Sequence, residues 1–400
     1  MRLISVFLWT LLLSKPSLAQ HIFEGKIIDK EGNGIPFASI HRNQGNGVLT
    51  NQFGEFQFQS SSSEEKIRIT HVSYNDTTRF VQANQQIKIQ LKDLIKVLPE
   101  ATVSLRGQKI MLALYEKLKN ENITYSATGF YRQMTQMDGI LTDILESYHT
   151  VFAKTNTCIE KYKLINGRYG EYKPEGPKPA QFTNLKNMVF VSKFLMQSDI
   201  VSENKIFYPL MPNLKDHYIF SIQEEYKNNL DEIIVKINCE PIRKEGAFRG
   251  TFTINTNKNI LLKYEGTILG LGTVENTENT PHKWSNIDFY WETYFNPLSG
   301  FIELIHLKAE TRVEYKKYNV SKEFTFDGVL FLTNQIESEK VSGKKPSHKT
   351  DDYKEIKKAK YDPEFWRMNN PIKYSFEENK SIDQYEKGKF FGNYFEQENK

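Results

Sequence analysis

Cysteine is nearly absent. Two in 400 residues, Cys158 and Cys239, cannot frame a disulfide scaffold. Beyond Leu13 no stretch approaches the ~20 apolar residues of a membrane helix, and the best of them, MVFVSKFLM (Met188–Met196), is broken by Lys193. Charge of one sign is also missing. The formal net charge is +4, and only +2 without Arg2 and Lys15, which implies no polyanionic partner and so no nucleic acid. No G-x-S-x-G elbow and no Walker lysine occurs. His41, His71, His149, His217, His282, His306 and His348 are dispersed, without H-x-x-x-H spacing. No catalytic residue, metal or cofactor is expected, and the chain reads as a non-enzyme.

What is present begins with an export signal. Arg2 precedes the apolar run Leu3–Leu13, and Ser17 and Ala19 occupy the −3 and −1 positions of a cleavage site. Residues 1–19 therefore read as a leader, and the mature chain as exported, to the periplasm or the outer-membrane periphery. In that compartment Cys158 and Cys239 could pair, since both lie in strand-like segments, though spacing alone does not bring them within bridging distance.

Residues 20–104 alternate short strands with turns. GKIID is followed by KEGNG, IPFASI returns, and GEFQFQ points Phe56 and Phe58 to one face and glutamines to the other. KIRITHV and QIKIQLKD repeat the period of two. No helical period intervenes, so the segment reads as a small antiparallel β-sandwich. GKIIDKEGNGIPFASI…GVLTNQFGEFQF resembles the carboxypeptidase-regulatory-like domain through Gly25, Asp29, Gly34, Pro36, Ala38, Thr50, Asn51, Gly54 and Phe56, a resemblance that implies a sandwich of the immunoglobulin or transthyretin kind. LPEATVS (Leu98–Ser104) resembles the strand that closes such a domain ahead of TonB-dependent transporters. The remaining ~300 residues are too few for the ~22 strands of such a transporter and its plug.

Residues 105–124 carry Ile110, Leu114, Tyr115 and Leu118 at helical spacing and predict a linking helix. From 125 to 340 the chain is rich in aromatics and strands, an antiparallel domain that resembles the half-barrel of periplasmic lipoprotein-sorting proteins. The chain as a whole resembles an envelope family that joins the two domains. Its landmarks are a Gly-Phe-Tyr-Arg strand, here Gly129–Arg132, and a late FWRMNNPIK, here Phe365–Lys373. Residues 341–360 read as a Lys-rich linker. Residues 361–400 read as a tail that docks through Phe365 and Trp366 onto the second domain. The predicted class is mainly β: a sandwich, then a larger half-barrel-like domain with a few helices.

His21 and Glu24 have the H-x-x-E spacing of two zinc ligands, but the motif leads straight into the first strand, with no sign of a third ligand. The adjacent pairs Glu224/Glu225 and Asp351/Asp352 read as solvated charge. Trp284, Tyr290, Trp291 and Tyr294 crowd one segment and are the candidate ligand-facing aromatics. The expected role is a binding or interaction module of the cell envelope, the sandwich being accessory and the partner an envelope protein, a glycan or a lipid. The alternative is a lipid or lipoprotein carrier with a hydrophobic cavity in the half-barrel.

Overall fold

The structure, a computed structural model, describes residues 20–43, 46–97, 105–121, 123–155, 158–172, 185–193, 195–196, 207–274, 276, 282–338, 343–346 and 350–391. Residues 1–19, read from the sequence as a leader, and the segment 98–104 lie outside the described residues. The chain is mainly β and divides into two units. Among the described residues no helix is long and apolar enough to cross a membrane, a statement about helices only.

The smaller unit runs to Thr70, resumes over Asp76–Leu91 and takes in Arg367–Lys373. Its strands are β1 (His21–Ile28), β2 (Ser39–Arg42), β3 (Val48–Leu49), β4 (Glu55–Ser60), β5 (Glu64–His71), β6 (Tyr74–Gln82) and β7 (Gln86–Gln90). They form two sheets, ordered β4-β1-β7 and β3-β2-β5-β6. Alternation works as the sequence predicts: Phe56 and Phe58 join Phe23, Ile27, Ile67 and Ile69 in the core. The wholly antiparallel expectation needs correction, because β1 and β7 run parallel, Ile27 opposite Ile89. The chain leaves β1's sheet and returns to it from the other one, so β7 need not reverse β1's direction.

The motif residues of this unit are its fastenings. Asp29 accepts from the Asn33 amide at 2.8 Å and closes the first turn. Buried Thr50 donates to the Ile35 carbonyl at 2.7 Å and accepts from the Ala38 amide at 2.8 Å. The Asn51 side chain accepts from the amides of Phe53 and Glu55, a side-chain-capped turn. Gly54 ends that turn at φ 75°, and an added Cβ would lie 2.4 Å from the Ile27 carbonyl and 2.6 Å from Gly34 Cα. Gly54→Val should therefore cost roughly 1–3 kcal/mol through φ alone, with the backbone overlap adding to it. Hydrogen exchange of the β1 and β4 amides in the full-length protein measures this; unchanged protection would show that the turn accepts a side chain.

The tail joins this unit where it was not expected to. Leu49 of β3, a two-residue strand, donates to the Pro371 carbonyl at 2.8 Å, and Lys373 pairs with Glu24. A strand so short has little pairing of its own, and Ile372, which bridges to Leu49 in parallel, extends it.

The larger unit is built on β8 (Ile95–Val97), β9 (Thr124–Met137), β10 (Ile140–Lys154), β11 (Cys158–Glu171), β12 (Tyr218–Lys227), β13 (Ile233–Pro241), β14 (Phe248–Asn255), β15 (Ile260–Ile268), β16 (His282–Trp284), β17 (Asp288–Phe295), β18 (Ile302–Tyr315) and β19 (Val320–Glu337). These make one antiparallel sheet in the order β11-β10-β9-β19-β18-β17-β15-β14-β13-β12-β8, with β16 beside β18. β8 lies within the segment 20–104 read as the sandwich, yet it pairs with β12, Val97 opposite Glu225.

Helix α1 (Leu105–Asn120) buries Met111, Leu114, Tyr115 and Leu118 and packs on β12, close to the predicted face. Helix α2 (Leu185–Ser192) lies against β11, β18 and β19. Both join one core with Tyr131, Leu145, Tyr264, Trp291, Ile305, Leu307 and Leu330, which defines a helix face of the sheet. The Lys-rich stretch is more than a linker. Lys344 bridges to Tyr162, and α3 (Asp352–Ile356) docks on β11. Two further helices follow, α4 (Pro363–Met368) and α5 (Phe376–Lys387), the second opened by a Ser375–Glu378 capping box.

Candidate functional site

Strand alternation sends every second side chain to the face opposite the helices. From β13 to β11 those positions carry charges of both signs, which pair along and between the strands. Lys236 (β13) faces Glu265 (β15) at 3.8 Å, and Lys263 (β15) reaches Glu265 at 2.7 Å and Glu292 (β17) at 2.8 Å. His306 (β18) stands between Glu292 at 3.4 Å and Asp327 (β19) at 3.2 Å. Arg132 (β9) pairs with Glu146 (β10) at 2.6 Å, Glu146 with Arg168 (β11) at 2.7 Å, and Arg168 with Glu386 of α5 at 3.2 Å.

The ladder shifts its own members. Burial opposes charge on Glu146, yet Arg168, Arg132 and the Tyr374 hydroxyl hold its carboxyl down at about 2. Burial also opposes charge on His306, but Asp327 and Glu292 raise it to about 9, so the imidazole is a cation at neutral pH. Asp327 is lowered despite burial, by His306 first and then Lys308 and Arg132, which links the two halves of the ladder.

At the β9–β11 end the tail closes over the charges. Tyr374 donates to Glu146 at 2.5 Å and accepts from Arg168 at 2.8 Å. The Arg132 guanidinium lies 3.9 Å from the Tyr374 ring centroid, and that of Arg168 lies 4.9 Å from Trp366 and 4.7 Å from Phe391. Arg132 ends the Gly129–Arg132 landmark and Trp366 belongs to the Phe365–Lys373 landmark; both border the Glu146–Arg168 pair, Arg132 through Glu146 and Trp366 through the Arg168 guanidinium. Trp366 packs against Tyr148 of β10 within the larger unit, while Arg367–Lys373 belongs to the smaller one.

The candidate aromatics are split by the same alternation. Trp291 is fully buried on the helix face among Phe248, Phe252 and Tyr264. Half-buried Trp284 packs on a satellite cluster of Met137, Val313, Tyr315 and Phe324. Tyr290 and Tyr294 stand on the ladder face. Tyr294 lies under Lys263, 4.8 Å from ammonium to ring centroid. Tyr290 is 41% exposed, and its hydroxyl donates to Glu265 at 2.7 Å. Cross-strand Lys308 flanks it.

Cys239 is a buried free thiol on β13, and seven strands separate it from β11, where Cys158 begins. The pairing left open by the sequence is not made; the Cys158 side chain lies outside the described residues. His21 and Glu24, three apart on β1, point to opposite faces, so one ion cannot hold both. Among the described residues no group of three or more His, Cys, Asp or Glu is placed to hold a metal.

The solvated-charge expectation fails for one member of each acidic pair. Glu225 is buried and takes Arg106 at 2.6 Å, and Asp352 is buried and accepts from Tyr162 at 2.8 Å. Neighbouring residues on an element face different ways, so one of each pair turns inward.

Comparison with known proteins yields little beyond the sandwich. No curated protein matches the chain. Among solved structures, a DUF1329 family protein from Desulfovibrio piger ATCC 29098 aligns at TM-score 0.25 and 10% identity, over 59% of this chain and 95% of that one. Residues 23–107 match the family model described as CarboxypepD_reg-like domain, so the N-terminal segment is similar to that domain.

Proposed function

We propose that this is a non-enzymatic, exported protein of the cell envelope that acts by binding, with the larger sheet as its working part and the sandwich as accessory. One observation carries the reading. Tyr290 is a ring held outward by its own hydroxyl's bond to Glu265, on a strand whose other face is packed core. A pinned aromatic beside Lys308 and Glu265 offers a flat apolar surface with donors and acceptors at its edge. That combination suits stacking on a sugar ring, so a glycan is the favoured ligand over a protein partner.

Titration with soluble peptidoglycan fragments, followed by amide chemical shifts, tests the surface. Shifts should centre on β15, β17 and β18, and Tyr290→Ala should weaken binding about tenfold or more, roughly 1.4 kcal/mol. No shifts with any fragment, or binding that Tyr290→Ala leaves intact, would overturn it.

The carrier alternative draws on the helix face, where α2 lays Met188, Val189 and Val191 on the sheet. Lipid extracted from the purified protein and identified by mass spectrometry would favour that reading.

A further inference from the structure

A buried carboxylate outside the ladder lies beneath α3. Asp143 of β10 is 2% exposed and points to the helix face, beneath α3. Its Oδ1 is met by the Tyr353 hydroxyl of α3 at 3.3 Å, and by Gln133 Nε2 and Thr135 Oγ1 of β9 at 3.5 Å each. The Tyr353 hydroxyl in turn accepts from Gln133 Nε2 at 2.9 Å. From β11 come the Tyr169 phenol and the Glu171 carboxylate, the residue directly across the strand pair from Asp143. From α5 comes the Tyr385 phenol.

A lysine beside Tyr169 is engaged by the ring. Lys357, just after α3, lies over the Tyr169 ring at 4.6 Å, and among the described residues no cation pairs with Asp143. The surroundings are thus uncharged donors and one like charge. This contrasts with Glu146, three residues on, which two guanidinium groups hold. A carboxylate in such a place is tolerable as the neutral acid and costly as the anion.

We propose that Asp143 is a proton-operated latch for α3, which sits closed on the sheet while Asp143 carries a proton and loosens when that proton leaves. The chemistry balances simply: the carboxylic acid gives its proton to solvent, and opening lets water reach the anion. Burial first, then the Glu171 charge, hold the group up at about 7, with Tyr353, Tyr169 and Thr135 pulling the other way. The folded value is raised above the ordinary 3.8, so stabilisation of the closed helix is full below that value. It is lost as pH rises through about 7.

The Lys357 amide, which donates to the Tyr353 carbonyl at 2.9 Å, reports on closure. Its hydrogen-exchange protection factor in the full-length protein, corrected for the intrinsic rate, should fall about tenfold per pH unit between pH 5 and 7 and level off above. In Asp143→Asn, which keeps an acceptor for Tyr353 but no proton to lose, the profile should be flat. Glu171→Gln, which removes the like charge, should move the levelling point to lower pH. The same slope in Asp143→Asn, or a flat profile in the wild type, would overturn the latch. Should Asp143→Asn not fold, an unmoved levelling point in Glu171→Gln would overturn it as well.

Discussion

Glu146→Gln should destabilise the larger unit by about 3–5 kcal/mol, because it removes one carboxylate from between two guanidinium groups that water cannot reach. Arg132 and Arg168 are 3% and 4% exposed, and Glu146 is 1% exposed. Arg168 would keep Glu386 and its aromatic neighbours, while Arg132 would lose the carboxylate that it meets at 2.6 Å. Urea unfolding followed by far-ultraviolet circular dichroism measures the loss. A triple change of Arg132, Glu146 and Arg168 to Met, Leu and Met separates the causes. If uncompensated charge is what costs, the triple variant should recover most of the stability that the single one loses. A single variant as stable as the wild type would mean that the carboxylate is not what holds the pair.

The pH dependence has a definite sign. Glu146 is depressed in the fold, so its contribution is present above its ordinary 4.5 and is lost as pH falls through about 2. His306 is raised, so its contribution is present below its ordinary 6.5 and is lost as pH rises through about 9. Between those limits both act together, and stability should be greatest on the mildly acid side of neutrality.

How much of this was legible beforehand depends on sequence distance. Alternation in GEFQFQ and the turn chemistry of Thr50, Asn51 and Gly54 are local, and the sandwich follows from them. The helical spacing of Leu114, Tyr115 and Leu118 is local too. Pairing between strands is not. Glu146 meets Arg132 and Arg168 through neighbouring hairpins, but Tyr374 joins them from 228 residues away. Each ladder residue in isolation looks like an ordinary polar position on an amphipathic strand, and only the strand order brings opposite charges together. The same distance hid the bond from Pro371 to Leu49. The crowded aromatics were visible as a group, but not as two groups, since period two splits Tyr290 from Trp291 without saying which side is core.

Removing the tail should have the other large effect, and Trp366 isolates its cause. The indole is 4% exposed, with Tyr148 6.0 Å and Phe365 5.3 Å away between ring centroids, and the Arg168 guanidinium over its face. Trp366→Ala would open a cavity there and should cost about 3–5 kcal/mol, which for a unit of this size lowers the melting temperature by roughly 10 °C. Ending the chain at Lys360 also removes Tyr374 from Glu146 and Phe391 from Arg168, so it should destabilise at least as much. Among the described residues the indole N–H has no hydrogen-bond partner, so Trp366→Phe should cost far less and serves as the spectroscopic control. The fluorescence lost between wild type and Trp366→Phe should be blue-shifted, as for an indole away from water. The opposite pair of results, a red-shifted difference spectrum and a melting temperature untouched by truncation, would make this segment a free ligand for some partner instead. Trp366, Tyr374 and Phe391, which cover two buried arginines, are expected to behave as part of the packed core of the larger unit.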